Sequence, residues 1–336
     1  AVQGLGVGEK LTDTFSFTVS DGHGGTATNS LTLTIDGTND APVLVPTILG
    51  IAKDSAITSG TLPLPTDVDV HDVVSFTPQS NAPGSYGTFT LSADGRYTYT
   101  LNTSLPAVVG LGVGDSLTDA FTVTVSDGHG GTASAVVTMS INGSNQAPMV
   151  AAATAVILED VISVSGDLPA PTDPNIHDVL TFIAQNNAPG SYGTLTLDAA
   201  GHYTYTLNNA LPVVQSLGVG EKLTDTFTFR VSDGHGGTAT NTLTLTINGT
   251  NDLPSVGAAT AAIAEDAVSV SGTLPVPTDV DVHDVLAFLP QAGTVGLYGT
   301  LTVDASGNYT YILNNALPAV QGLGVGEKLT DTFSFT

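Results

Sequence analysis

The chain has 336 residues and a net charge of −25, with six Lys and Arg against 31 Asp and Glu, and no cysteine. That balance excludes nucleic acid as a partner, because phosphate binding needs a basic footprint, and it excludes disulfides as a source of stability. No run approaches the ~20 apolar residues of a membrane helix, and the opening AVQGLGVG lacks the charged start and apolar stretch of a signal peptide. An acidic chain of this kind either repels itself or holds cations, divalent cations first.

The first readable element is DTFSFTVSDGHGGTATNSLTLTI, from Asp13 to Ile35. Phe15, Phe17 and Val19 alternate with Thr and Ser, as do Leu31, Leu33 and Ile35, so the segment predicts a hairpin with one buried face. DGHGG between the two runs supplies the positive-φ residues of a tight reversal. Next come the linker NDAP from Asn39, the acidic loop DVDVHD from Asp67, and a second hairpin, GTFTL and RYTYTL around SADG. No segment has convincing helical periodicity. The same order then returns every 106 residues: Asp21, Asp127 and Asp233 open the turn, and Asn39, Asn145 and Asn251 open the linker. Residues 1–18 recur unchanged as 319–336.

A period this long matches a small domain with its own core and exceeds most solenoid repeats. With each N-x-x-P as a boundary, the chain divides into the C-terminal part of a repeat (1–42), two complete repeats (43–148 and 149–254) and a repeat lacking its last strand (255–336). The expectation is a window on a longer molecule, with an open sheet edge in 255–336. Short Thr- and Val-rich strands separated by Gly, Pro and Asp turns predict an all-β fold of tandem immunoglobulin-like β-sandwiches.

Eight elements in order, among them NDAP, DVDVHD, GSYGTLTL, YTYTLNN, LGVGEKLTDTFTF and VSDGHGGTAT, resemble the VCBS repeat. This is a cadherin-like module of giant bacterial adhesins, many of them type I-secreted and grouped as RTX adhesins. The resemblance covers the whole chain. It implies a secreted or cell-surface, calcium-dependent extender or adhesive module in cell attachment and biofilm formation. The G-G-x-G-x-D nonapeptide of RTX β-rolls is absent, so no β-roll is expected.

In such a sandwich the DVDVHD loop, the DGHGG turn and the N-terminal linker share the upper pole. The first reversal, which carries Glu159–Asp160 and Glu265–Asp266, and the GEKLTD loop share the lower pole. Stacking then gathers Glu159, Asp160, Glu221, Asp225, Asn251, Asp252, Asp279, Asp281 and Asp284 at the joint near Pro254. The corresponding set near Pro148 is Asp119, Asn145, Asp173, Asn175 and Asp178; near Pro42 it is Asp13, Asn39, Asp40, Asp67, Asp69 and Asp72. Like charges at ~4 Å repel by about 4 kcal/mol per pair at an effective dielectric of 20. A dication taking 6–8 oxygens relieves that, and Ca2+ suits the set better than Mg2+. Asp279 and Asp281, two apart, are expected to share one ion.

Solvated turn formers are the plainer explanation of loop Asp residues, but acids recurring in register at both poles favour calcium. His71, His177 and His283 read as loop-packing residues, since no second His or Cys stands at ligand spacing, and His23, His129 and His235 as solvated tips. The alternating tyrosines, Tyr97 and Tyr99 among them, read as sheet packing. No phosphate loop or Ser–His–Asp set is recognisable, so no enzyme is expected. The expected partners are calcium, neighbouring repeats and neighbouring chains, by head-to-tail or homophilic contact; the alternative to an extender is a repeat that itself binds glycan or matrix. One joint departs from the pattern: Lys53, Gln146 and Asn175 stand where the other repeats have Glu159, Asp252 and Asp281. Fewer or weaker calcium ions, and greater flexibility, are expected near Pro148.

Overall fold

The computed structural model describes residues 1–336. They fall into two compact units, one of Ala1–Val150 with Pro171–Thr181 and Val231–Ala239, the other of Ala151–Ala170, Phe182–Arg230 and Thr240–Thr336.

Within the first unit, the strands between Thr47 and Asn142 form a two-sheet sandwich. In one sheet the strand order is Thr47–Ala52, Thr132–Asn142, Ser116–Ser126, Ser75–Phe76. The first pair is parallel and the other two are antiparallel. In the other sheet Ile57–Thr61, Arg96–Leu101, Gly87–Leu91 and Gln79–Pro83 are antiparallel throughout. Period-2 patterning determines which side is inside. Phe121, Val123 and Val125 of one strand and Val137, Met139 and Ile141 of its neighbour are buried, with Thr and Ser between them turned outward. Phe89 from the facing sheet stacks on Phe121, centroids 4.9 Å apart. Burying a side chain of that size contributes about 1.5–3 kcal/mol.

The hairpin expected at the start of the chain is present, Lys10–Ser20 paired with Thr26–Asp36, but both strands are exposed along their length and the buried face expected of it is not formed, since no facing sheet covers Phe15, Phe17 and Val19. The second hairpin, Gly87–Leu91 with Arg96–Leu101, is also present. One-turn helices at Pro106–Val109, Pro212–Gln215 and Pro318–Gln321 were not foreseen, because four residues carry no periodicity; each begins on proline, whose fixed φ suits a first helical turn. In the second unit Ala153–Leu158 runs parallel to residues 243–248. There too, Ser163–Asp167 and Ser269–Thr273 each edge a four-stranded antiparallel sheet.

Two local devices aim the acidic loops. The linker is tied to the DVDVHD loop by a single bridge, Val43 to Thr66, Met149 to Thr172 and Ser255 to Thr278. The last hairpin turn wraps around its own carboxylate: Asp127 Oδ1 accepts the His129 and Gly131 backbone N–H groups at 2.7 and 3.0 Å. A Cβ at Gly131 would stand 2.0 Å from Asp127 Oδ2, and Gly128 and Gly130 have φ of 82° and 109°. The repeated DGHGG is therefore a turn built to close on an aspartate.

Candidate metal centres at the repeat joints

Two kinds of acidic cluster result. The first joins the linker, the acidic loop and the last hairpin turn of one sandwich. Asp67, Asp72 and Asp127 present carboxylate oxygens within 4.8 Å of one another, and Asp173, Asp178 and Asp233 do the same one period later. Asn39 and Asn145 donate to Asp127 and Asp233, each at 2.9 Å. Buried and without a hydrogen-bond partner are Asp67 Oδ2, Asp72 Oδ2 and Asn39 Oδ1, and likewise Asp173 Oδ2, Asp178 Oδ2 and Asn145 Oδ1. The Asn39 amide, followed by the turn N–H groups, holds Asp127 below the usual carboxylate range. At Asp233 burial pulls upward, but the bonds from Asn145, His235 and Gly237 outweigh it.

The second kind spans the joint. Glu159, Asp252 and Asp281 bring oxygens within 4.8 Å of one another. Glu159 is fully buried, and Asp281 is 2% exposed. Glu159 Oε1 accepts the Thr250 N–H and hydroxyl at 2.6 and 3.0 Å, and Asp281 Oδ2 accepts the Asp252 N–H at 2.9 Å. Glu159 Oε2, Asp252 Oδ2 and Asp281 Oδ1 are left unpartnered. Burial pushes both Glu159 and Asp252 above the ordinary range, with Asp160 adding to each. Two buried carboxylates and a half-buried one, each with an unpartnered oxygen, repel by several kcal/mol when all are charged. An oxygen-seeking cation is the partner such a set fits.

The structure redistributes the residues expected from sequence. Asp69 is not part of the cluster that Asp67 forms with Asp72 and Asp127. The segment turns where extended alternation was assumed, with Asp69 N–H bonded to Asp67 Oδ1 at 3.0 Å and Asp69 Oδ2 accepting the Asp40 N–H at 2.8 Å. The pair Asp279 and Asp281 repeats that turn, with Asp281 in the spanning cluster. Asp119 and Asp225 lie away from the joints. They sit inside their sandwiches, where Asp119 accepts Ser85 N–H at 2.7 Å, Tyr86 N–H at 3.1 Å and the Tyr99 hydroxyl at 2.7 Å. Asp225 accepts the same three from Ser191, Tyr192 and Tyr205. Asp13 is exposed on a strand and joins no cluster. Asp160 stands beside the spanning set through Thr250 Oγ1 at 3.3 Å. Asp284 and Asn251 hold the positions of Asp72 and Asn39, and Asp178 already has its cluster.

Asp127 and Asp233 were not among the expected ligands. Their signal was the glycine-wrapped turn, which looked sufficient as a turn alone. The loop histidines are also repositioned. His71, His177 and His283 are mostly exposed and meet the preceding GEKL-type loop at Glu9, Asp115 and Glu221, with Nδ1–oxygen distances of 2.6, 3.0 and 2.7 Å. His129 and His235 reach Asp72 and Asp178, each at 3.1 Å.

Sandwiches in tandem, with carboxylates gathered where linker meets loop, define a class of cadherin-like repeat proteins. The model of the bacterial cadherin-like domain matches residues 39–143, 145–249 and 251–336, and the chain belongs to that family. Over 188 residues, 51% of this chain and 75% of the relative, the sequence is 29% identical to the calcium-binding lectin RapA2 of Rhizobium johnstonii. The fold is similar to the solved structure PcdhgB3 EC1-4, with a TM-score of 0.53 and 17% identity over 93% of this chain and 76% of that one. A second likeness, to Protocadherin Gamma B7 extracellular cadherin domains 1-4, has a TM-score of 0.48 and 15% identity, covering 89% and 74%.

Proposed function

We propose that the chain is a run of calcium-stiffened extender repeats from a giant bacterial surface adhesin of the VCBS type, carrying distal binding domains outward for attachment and biofilm formation. The repeats would divide at the N-x-x-P linkers, as 1–42, 43–148, 149–254 and 255–336. The observation that carries this reading is the set of buried, partnerless oxygens on Asp67, Asp72, Glu159, Asp173, Asp178, Asp252 and Asp281. These atoms stand at the linkers and not in the sandwich faces. Asn39, Asn145, Asp67, Asp72, Asp127, Asp173, Asp178 and Asp233 would hold ions within a repeat; Glu159, Asp252 and Asp281 would hold one across a joint. A calcium ion there neutralises the cluster and fixes the linker to the loops on either side. Extracellular modules hold calcium at about 10⁻⁴–10⁻³ M, so the fluid outside a cell would fill such sites.

Small-angle scattering and thermal melting with calcium and with EGTA test the proposal. The expected result is a larger maximum dimension and a higher melting temperature in calcium; identical values in both would overturn it. A second reading, in which the repeats themselves bind glycan, is favoured by the relative described as a calcium-binding lectin. Calcium-dependent signal on a glycan array would support it.

A further inference from the structure

The three departures near Pro148 meet at one place. The Lys53 side chain, 2% exposed, donates from Nζ to Leu111 O at 2.6 Å and Val109 O at 3.1 Å. Asn175 Oδ1 accepts the Gln146 N–H at 2.7 Å, the bond that Asp281 makes with the Asp252 N–H. The other atom of the side chain reverses its chemistry. Where Asp281 has the idle acceptor Oδ1, Asn175 has Nδ2, a donor, bonded to Leu111 O at 2.8 Å and Ser144 O at 3.3 Å. This amide orientation is dictated by its neighbours: Gln146 N–H needs an acceptor, and the two carbonyls need donors. None of Lys53, Gln146 and Asn175 leaves a buried oxygen without a partner, unlike Glu159, Asp252 and Asp281.

We infer that the joint near Pro148 has no cross-joint cation site, and that the Lys53 ammonium replaces the ion there as a built-in, calcium-independent tie. This rests on the calcium reading of Glu159, Asp252 and Asp281. Three carboxylates become one ammonium and two amides, and Leu111 O takes both new donors. A donor aimed at the position of a ligand oxygen repels a cation, and the ammonium occupies its place with a single charge. The cluster within the repeat, Asp173, Asp178 and Asp233, is untouched, so this joint keeps one ion and loses the other. On this inference the joint is not the more flexible one expected from sequence, because direct hydrogen bonds replace the lost charge. A backbone bond adds to them, with Ile176 N–H on Gly110 O at 3.2 Å.

The test counts bound calcium per chain by equilibrium dialysis at saturating calcium and measures melting in EGTA. A forward variant carries Lys53→Glu, Gln146→Asp and Asn175→Asp; a reverse variant carries Glu159→Lys, Asp252→Gln and Asp281→Asn. The forward variant is expected to gain one ion and the reverse variant to lose one. An unchanged count in the reverse variant overturns the inference, even where the forward variant fails to fold. Single variants in EGTA give a readout that needs no metal: Lys53→Met is expected to lower the melting temperature and Glu159→Met to raise it. A Lys53→Met chain that melts no lower also overturns the inference. A wild-type chain that binds no calcium, with that pair of melting shifts intact, would overturn the calcium reading alone.

Discussion

The joints near Pro148 and Pro254 share a backbone plan and differ in what holds them. In both, the residue after the linker asparagine donates its N–H to the central side chain of the acidic loop, Gln146 to Asn175 and Asp252 to Asp281. In both, a loop histidine meets the preceding loop, His177 to Asp115 and His283 to Glu221. What changes is the centre, from three carboxylates with unpartnered oxygens to two amides and an ammonium bonded to the Val109 and Leu111 carbonyls. The same scaffold thus accommodates an ion-requiring joint and a self-satisfied one, because the requirement is for charge balance and filled lone pairs, whichever group supplies them.

The largest expected effect is a control that should treat both regions alike. Asp119→Ala and Asp225→Ala each strand a buried tyrosine hydroxyl and two backbone donors, at a cost of roughly 3 kcal/mol or more. The loss should be equal in calcium and in EGTA by calorimetry; a loss confined to calcium would return these residues to the ligand set. Next in size is chelation, which should remove about 2.7 kcal/mol per site when calcium stood at a hundredfold excess over its dissociation constant. Hydrogen exchange then sharpens the contrast: the Asp252 N–H should exchange faster after EGTA by a larger factor than the Gln146 N–H. Comparable acceleration at both would erase the difference between the joints.

Lys53→Met should cost about 1–3 kcal/mol, the price of leaving the Val109 carbonyl and part of Leu111's capacity unfilled in a buried site, and the loss should persist in both buffers. The smallest effect is that of pH. Glu159 and Asp252 lie above the ordinary carboxylate range in the metal-free fold. Their contribution is therefore full below the unfolded values, about pH 4, and lost as pH rises through the raised ones. In EGTA, melting of the region around Pro254 should fall as pH climbs from about 4 to 7. In calcium the trend should reverse, because protons and the ion compete for the same oxygens. A flat EGTA profile would mean that these carboxylates are not held at raised values.

Much of the fold was legible because it is periodic twice over. Alternation of Phe, Val and Leu with Thr marks strands, and the hairpins at 10–36 and 87–101 follow it closely. The recurrence of Asp21, Asp127 and Asp233 marks the repeat. The acids of the linker and the DVDVHD loop were legible as joint residues for the same reason, and the odd joint showed itself in Lys53, Gln146 and Asn175. The one-turn helices were not legible, since a single turn leaves no pattern.

The sequence by itself determined the sandwich strands, the repeat length and the pool of acids at the linkers, because side-chain alternation and fixed spacing are properties of the chain read along its length. Tertiary structure alone decided how that pool is divided. It put Asp119 and Asp225 under a tyrosine, split Asp67 from Asp69 through a turn, and brought Asp127 and Asp233 to residues more than fifty positions away. It also brought Lys53 and Asn175 to one carbonyl, Leu111 O, from opposite sides of a joint. The physical reason is that an aspartate has the same formula whether its oxygens are filled by N–H groups, by a hydroxyl or by nothing. Only the folded neighbourhood states which of these holds, and with it which carboxylates still need a cation.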